Sequence, residues 1–159
     1  MSAVADTSPL CYLALIGEID LLPKLFGNLL VPPAVIAELL HEDAPVVVRD
    51  WAANLPSWIS VQEIPIHSDV GMEKLQAGER AAILLAESIH ADTILLDEKS
   101  ARRIAANRGL IITGTLGVLS EATARGLVDL ATAIDRLMKT NFRYSPALLK
   151  ATLDRFGNR

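Results

Sequence analysis

Short apolar runs of strand length alternate with helical patterns along this chain, and that alternation constrains its fold more than any other feature. Ala3-Val4-Ala5, Leu29-Leu30-Val31, Trp58 to Ile64, Thr93 to Leu96 and Leu110 to Thr113 read as strands. Ser8 reads as the N-cap of a first helix, with Pro9 at its first position and Gly17 at its end. A second helix spans Ile19 to Phe26 and closes at Gly27-Asn28. Pro33 opens a helix to about His41, Val46 to Leu55 forms another, and a loop with Pro65, His67 and Gly71 follows. Gly78 precedes an Ala-rich helix from Glu79 to His90. A helix after Asp97 runs to Asn107, and one from Gly114-Thr115 runs to Arg125. Two further helices, split near Asn141 to Ser145, complete the chain. Strands and helices alternating at this spacing predict βαβ units and a parallel sheet. Ligands of such sheets bind beyond the carboxyl ends of the strands. Asp6, Asp97 and the Thr113-Gly114-Thr115 turn stand at such ends.

The 159 residues suffice for one domain with a real core, and 51% hydrophobic against 21% charged residues excludes a disordered chain. Aromatics are only 4%, so Ala, Leu, Ile and Val must fill the interior, which suits helices packed on a parallel sheet. Cys11 is the single cysteine and has no internal disulfide partner, which points to a reducing compartment. No Cys/His spacing resembles a zinc site, and His41, His67 and His90 share no catalytic spacing. The N-terminus lacks a basic segment and Asp6 interrupts its apolar stretch, unlike a signal peptide. No apolar run approaches the ~18 residues of a membrane span, so a soluble cytoplasmic protein is expected. The net charge of −4 argues against non-specific binding of nucleic acid. A carboxylate site would itself lower that charge, and bound divalent cations would reverse its local sign.

Asp6 and Asp97 each admit two readings, a capping or turn residue or a site ligand, and neither decides alone. Two strand-terminal aspartates at one edge of one sheet carry more weight together. Glu79 shares a helical sector with Ala82, Ile83 and Ala86, so it faces inward at the first turn of its helix. The helix dipole favours a carboxylate there by only ~0.3–1 kcal/mol. Burying an unpaired ion costs several kcal/mol, so Glu79 needs a proton or a cation, either a metal or an Arg or Lys from elsewhere. Glu38 lies at the margin of the Val35, Ile36, Leu39 and Leu40 stripe, where a solvated surface glutamate is at least as good a reading.

The order of these segments resembles the PIN-domain nucleases, particularly the VapC-like toxins. The match lies in Ala5-Asp6-Thr7-Ser8-Pro9-Leu10 and Pro32-Pro33-Ala34-Val35-Ile36-Ala37-Glu38-Leu39. It continues through Gly78-Glu79-Arg80-Ala81-Ala82-Ile83-Leu84-Leu85-Ala86 and Leu95-Leu96-Asp97-Glu98-Lys99-Ser100-Ala101-Arg102-Arg103 to Gly114-Thr115-Leu116-Gly117-Val118-Leu119. It covers roughly residues 3 to 125. The likeness implies an α/β fold, a three-layer αβα sandwich around a parallel sheet of about five strands. Residues 1–159 then form a single PIN-like domain, with 127–159 as a C-terminal helical extension outside the likeness. Many relatives carry Asp where this chain has Glu79 and Glu98, which alters ligand reach but not charge.

By the same resemblance, Asp6, Glu38, Glu79 and Asp97 meet at the strand ends and hold Mg²⁺ or Mn²⁺ for hydrolysis of RNA phosphodiesters. Asp6 and Asp97 would coordinate directly, Glu79 directly or through water, and Glu38 would bind through water or position it. Oxygen-only donors suit these hard cations. Thr7, Ser8 and Thr113 are candidates to orient phosphate, with helix capping as their simpler role. Lys99, Arg102 and Arg103 form a stripe opposite the apolar Ala101-Ile104-Ala105 face, either solvated surface or a phosphate contact. A toxin of this kind implies an RNA substrate, a cognate antitoxin and a homodimer. The rival from another class is a catalytically silent PIN-like module acting through a protein partner. A haloacid-dehalogenase-like phosphatase would want an acid where Ser8 stands, and a response-regulator receiver would want paired acids where Asp6 stands alone.

Overall fold

The computed structural model describes residues 2–65 and 71–156; His67 of the expected loop lies outside the described residues. The strands are β1 (Ala3–Ala5), β2 (Leu29–Val31), β3 (Ile59–Val61), β4 (Thr93–Leu95) and β5 (Ile112–Thr113). All pair in parallel, in the order β3-β2-β1-β4-β5. The chain builds outward from β1 to β3, then returns past β1 to place β4 and β5 on its other side. Connections therefore diverge between β1 and β4, which is where a ligand crevice forms in an open parallel sheet.

Helices α1 (Thr7–Leu15), α2 (Leu21–Phe26), α3 (Pro33–Leu39) and α4 (Val46–Ala53) serve the first three strands. They are followed by α5 (Ala77–Ser88), α6 (Lys99–Asn107), α7 (Thr115–Ala124), α8 (Leu130–Met138) and α9 (Pro146–Phe156). Side chains alternate across each strand, and the core divides accordingly. Ala3, Ala5, Leu29, Val31 and Leu95 pack with residues of α1, α2, α7 and α8 on one face. Val4, Ile94 and Leu96 pack with α5 and α6 on the other. This is the expected αβα sandwich. The sheet is covered on both faces, which is why its strands read as continuous apolar runs. Residues Leu130, Ala133, Ile134 and Leu137 of α8 fall on one stripe, i, i+3, i+4, i+7, and with Phe156 of α9 they extend the first core. No helix among the described residues is long and apolar enough to cross a membrane.

Several boundaries differ from those expected, each for a local reason. Asp6, not Ser8, is the N-cap residue of α1, because its extended backbone (φ −85°, ψ 173°) is the last before the helix. Pro9 then sits in the first turn, where amides have no intrahelical acceptor and a missing N–H is harmless. The second helix starts at Leu21 and not Ile19, and the third strand spans only Ile59–Val61, ending its pairing with β2 at Val31. The helix expected at Glu79 starts at Ala77, capped by Gln76, and ends at Ser88 short of His90, whose φ of 52° leaves the helical region. The fifth strand is Ile112–Thr113, without Leu110. Cys11, the single cysteine, is half-buried at the edge of the first cluster.

Candidate active site

The site grows from the β1–β4 switch point. Ala5 pairs with Leu95, and the Asp6 N–H donates to the Leu95 carbonyl at 3.0 Å. Asp6 thus stands level with Leu96, and Asp97 lies one residue further along the neighbouring chain. Asp6 occupies the N-cap position of α1, yet its side chain makes no capping hydrogen bond. It is 3% exposed, and among the described residues its Oδ1 is the buried side-chain polar atom with no partner. Burial pushes its pKa up to about 7; the Thr7 backbone N–H opposes this, and the charges of Glu79, Glu38 and Asp97 raise it further. Three acids, from α3, α5 and the chain just beyond β4, therefore act electrostatically on Asp6.

Glu38 is a bracket. Its Oε2 accepts from Thr7 Oγ1 at 2.5 Å and its Oε1 from the Gly78 N–H at 2.8 Å, so it ties α3 to the first turns of α1 and α5. Its place at the margin of the apolar stripe, read as compatible with open solvent, is half-buried instead. Gly78 permits this approach, since a Cβ there would lie 2.6 Å from Glu38 Oε2.

Glu79 is buried as its helical sector required. Its Oε1 accepts from the Gln76 N–H at 3.0 Å, and the Gln76 side chain accepts in return from the Glu79 amide. This capping box is a third partner for Glu79 besides the metal or basic side chain that the sequence suggested. Burial raises its pKa, the Gln76 N–H opposes, and Glu98 and Glu38 raise it. Glu98 itself caps α6 through Ala101 N–H at 3.0 Å.

Asp97 is held from Thr115, the first residue of α7. Its Oδ1 accepts from the Thr115 N–H and its Oδ2 from Thr115 Oγ1, both at 2.7 Å. Burial raises its pKa, while Thr115 and the Arg102 charge lower it. Gly114 makes room: a Cβ there would meet Asp97 Oδ1 at 2.6 Å, Arg102 Nη1 at 2.7 Å and the Leu96 carbonyl at 2.9 Å. Thr115, Gln76, Gly78 and Gly114 are site residues whose roles were not read from the sequence. The glycines stood in plain view as helix-start punctuation, but nothing local signals which carboxylate they admit.

The remaining candidates separate. Thr7 is committed to Glu38, and Ser8 is half-buried in the first turn of α1. Arg102 leaves the solvated stripe: half-buried, it donates from Nη1 to the Leu96 carbonyl at 2.9 Å. Lys99, Arg102 and Thr113 line one groove with Asp97, whereas Arg103 is exposed and lies outside it.

No ion pair among the described residues neutralises Asp6, Glu38, Glu79 or Asp97. Nor do three acid, His or Cys side chains there already stand at metal-holding spacing. The donors are nonetheless hard oxygens with one orphaned and buried among like charges. That set fits a divalent cation that retains several of its waters, the habit of Mg²⁺.

No curated protein and no solved structure matches this chain. A family model described as PIN domain matches residues 2–158, a span that takes in α8 and α9. With that match running almost end to end, the chain belongs to the PIN-domain family.

Proposed function

We propose that this chain is a Mg²⁺- or Mn²⁺-dependent endoribonuclease, the toxin of a toxin–antitoxin pair, working in the cytoplasm as a homodimer. Family membership supports the coarser part, a nuclease-type hydrolase. The observation that supports metal dependence is Asp6, a buried carboxylate with an orphaned oxygen, faced by three further acids and no paired base; the RNA substrate, toxin role and homodimer follow the VapC-like resemblance of the sequence. Asp6, Glu79 and Asp97 would hold the metal, and Glu38 would order the water around it. When bound, such an ion would offset negative charge on the phosphodiester and polarise a water for attack on it. The protein's part is positioning: Thr115 fixes Asp97, Gln76 fixes Glu79, and Thr7 and Gly78 fix Glu38.

A mixed RNA pool incubated with the chain and Mg²⁺ or Mn²⁺ should be cleaved, cleavage should stop with chelator, and Asp6→Asn should abolish it. Intact RNA under all metal conditions overturns the reading. A second reading, a silent module acting through a protein partner, draws on Glu38 and Asp97, whose oxygens already accept hydrogen bonds. It expects no cleavage and partner binding that survives Asp6→Asn. Expression of the chain should arrest growth, and co-expression with a cognate antitoxin should yield a complex and relieve the arrest; no arrest overturns the toxin assignment.

A further inference from the structure

We propose that the C-terminal segment before and within α9 forms the outer wall of a track for single-stranded RNA leading to Asp97. The proposal rests on the ribonuclease reading above and assigns where its substrate lies. A groove of about 860 Å³ separates α6, β5 and the start of α7 from residues 142–155. Of the four candidate acids, Asp97 is the one that lines it. Lys99 and Arg102 line the near wall, Arg143 and Arg155 the far wall. These four are drawn from 15 Lys and Arg in a chain of net charge −4. Among the described residues none of the four forms an ion pair. Against them the groove sets two acids, Asp97 and Glu98, so it is positive while the molecule is negative. Phosphates are therefore drawn to this groove in preference to the rest of the surface.

The far wall is held in place by its own contacts. Phe142 packs edge-on against Tyr12, with centroids 5.0 Å apart, and the Tyr12 hydroxyl donates to Asn141 Oδ1 at 3.0 Å. Arg155 Nη1 donates to Ser120 Oγ across the groove at 3.3 Å and its guanidinium lies 5.0 Å from the Phe156 ring centroid. Tyr144, on the same wall, is 39% exposed and lines the groove together with Arg143 and Arg155. An accessible ring in a groove lined by four cations suits an unstacked base with its phosphates, the pattern of single-strand binding. A duplex, whose bases are already stacked, has no use for Tyr144.

The test uses the full chain with chelator and a labelled pool of short RNA, single-stranded or annealed, so that binding is read without cleavage. Tyr144→Ala should weaken single-strand binding by about five-fold to about a hundred-fold. Arg143→Ala and Arg155→Ala should each lower the slope of log affinity against log salt by about 0.7, with Arg143→Lys restoring it. Lys139→Ala, whose partner is Asp135 away from the groove, should leave binding unchanged. Melting curves confirm that each variant is folded. Unchanged affinity and slope in the wall variants, or duplex bound as tightly as single strand with the same losses, overturns the track. Cleavage measured in parallel with Mn²⁺ separates the two claims. Cleavage with indifferent wall variants removes the track and keeps the nuclease, whereas wall-dependent binding without cleavage does the reverse.

Discussion

Replacing Asp6 with Asn should stabilise the metal-free protein at neutral to basic pH while removing its activity, an unusual pairing for a buried substitution. The folded-state pKa of Asp6 is raised from 3.8 to about 7. Between these values the folded state holds a proton that the unfolded state has released, so stability falls as pH rises through that window and levels off above it. At ~1.36 kcal/mol per unit, the shift corresponds to a penalty of about 4 kcal/mol above about pH 8. Asn is neutral at every pH and nearly the same shape, so it escapes the penalty, less whatever its amide loses by keeping an unpartnered polar atom. For a chain of this size ~1 kcal/mol moves the melting temperature by ~2–4 °C, giving a ceiling of about 8–16 °C. The assay is a melt in chelator from about pH 4 to about pH 8. The two proteins should converge at the acid end and the variant should lead at the basic end. Saturating Mn²⁺ should then raise the wild type, by about 2.7 kcal/mol at a hundred times its dissociation constant, and the variant far less. A variant no more stable than wild type near the basic limit, or an offset independent of pH, would refute the argument that Asp6 sits as an uncompensated charge.

Two other substitutions probe how the acids are positioned. Gly114→Ala places a methyl against Asp97, Arg102 and the Leu96 carbonyl, and because that carbonyl is backbone the strain has no cheap release. A loss of about 1–3 kcal/mol in chemical denaturation and a collapse of cleavage are expected. Thr115→Val keeps the fully buried shape of Thr115 but removes the hydroxyl that donates to Asp97 Oδ2. It should cost about 1.5–3 kcal/mol, as for a hydrogen bond to a charged group. It should also lower the affinity for Mn²⁺ read by thermal shift.

Much of the architecture was legible because it depends on short-range pattern. Apolar runs at Val4, Leu30 and Ile94 separated by helical segments left a parallel sheet as the simplest way to bury both faces. Asp6 and Asp97 could be singled out because strand ends in such a sheet are where ligands bind. The helical wheel placed Glu79 inward, and it is buried. Glu38 was harder: its bonds reach Thr7 and Gly78, 31 and 40 residues away, and no periodicity within α3 encodes them. The solvated reading of Arg102 failed for a nearer reason: its wheel position is polar, but its side chain reaches back six residues to the Leu96 carbonyl just past the end of β4.

The amino-acid sequence alone determined the alternation of elements, the apolar faces and which residue types were available for chemistry, because each follows from bonds and contacts a few residues apart. Tertiary structure decided which acids face one another, which of their oxygens are already occupied, and that Arg143, Tyr144 and Arg155 stand opposite Lys99 and Arg102. Those relations depend on strand order and helix docking, where residues far apart in the chain are brought within a few ångströms. Electrostatic effects such as the raised pKa of Asp6 exist only once that packing has removed water from around the charges.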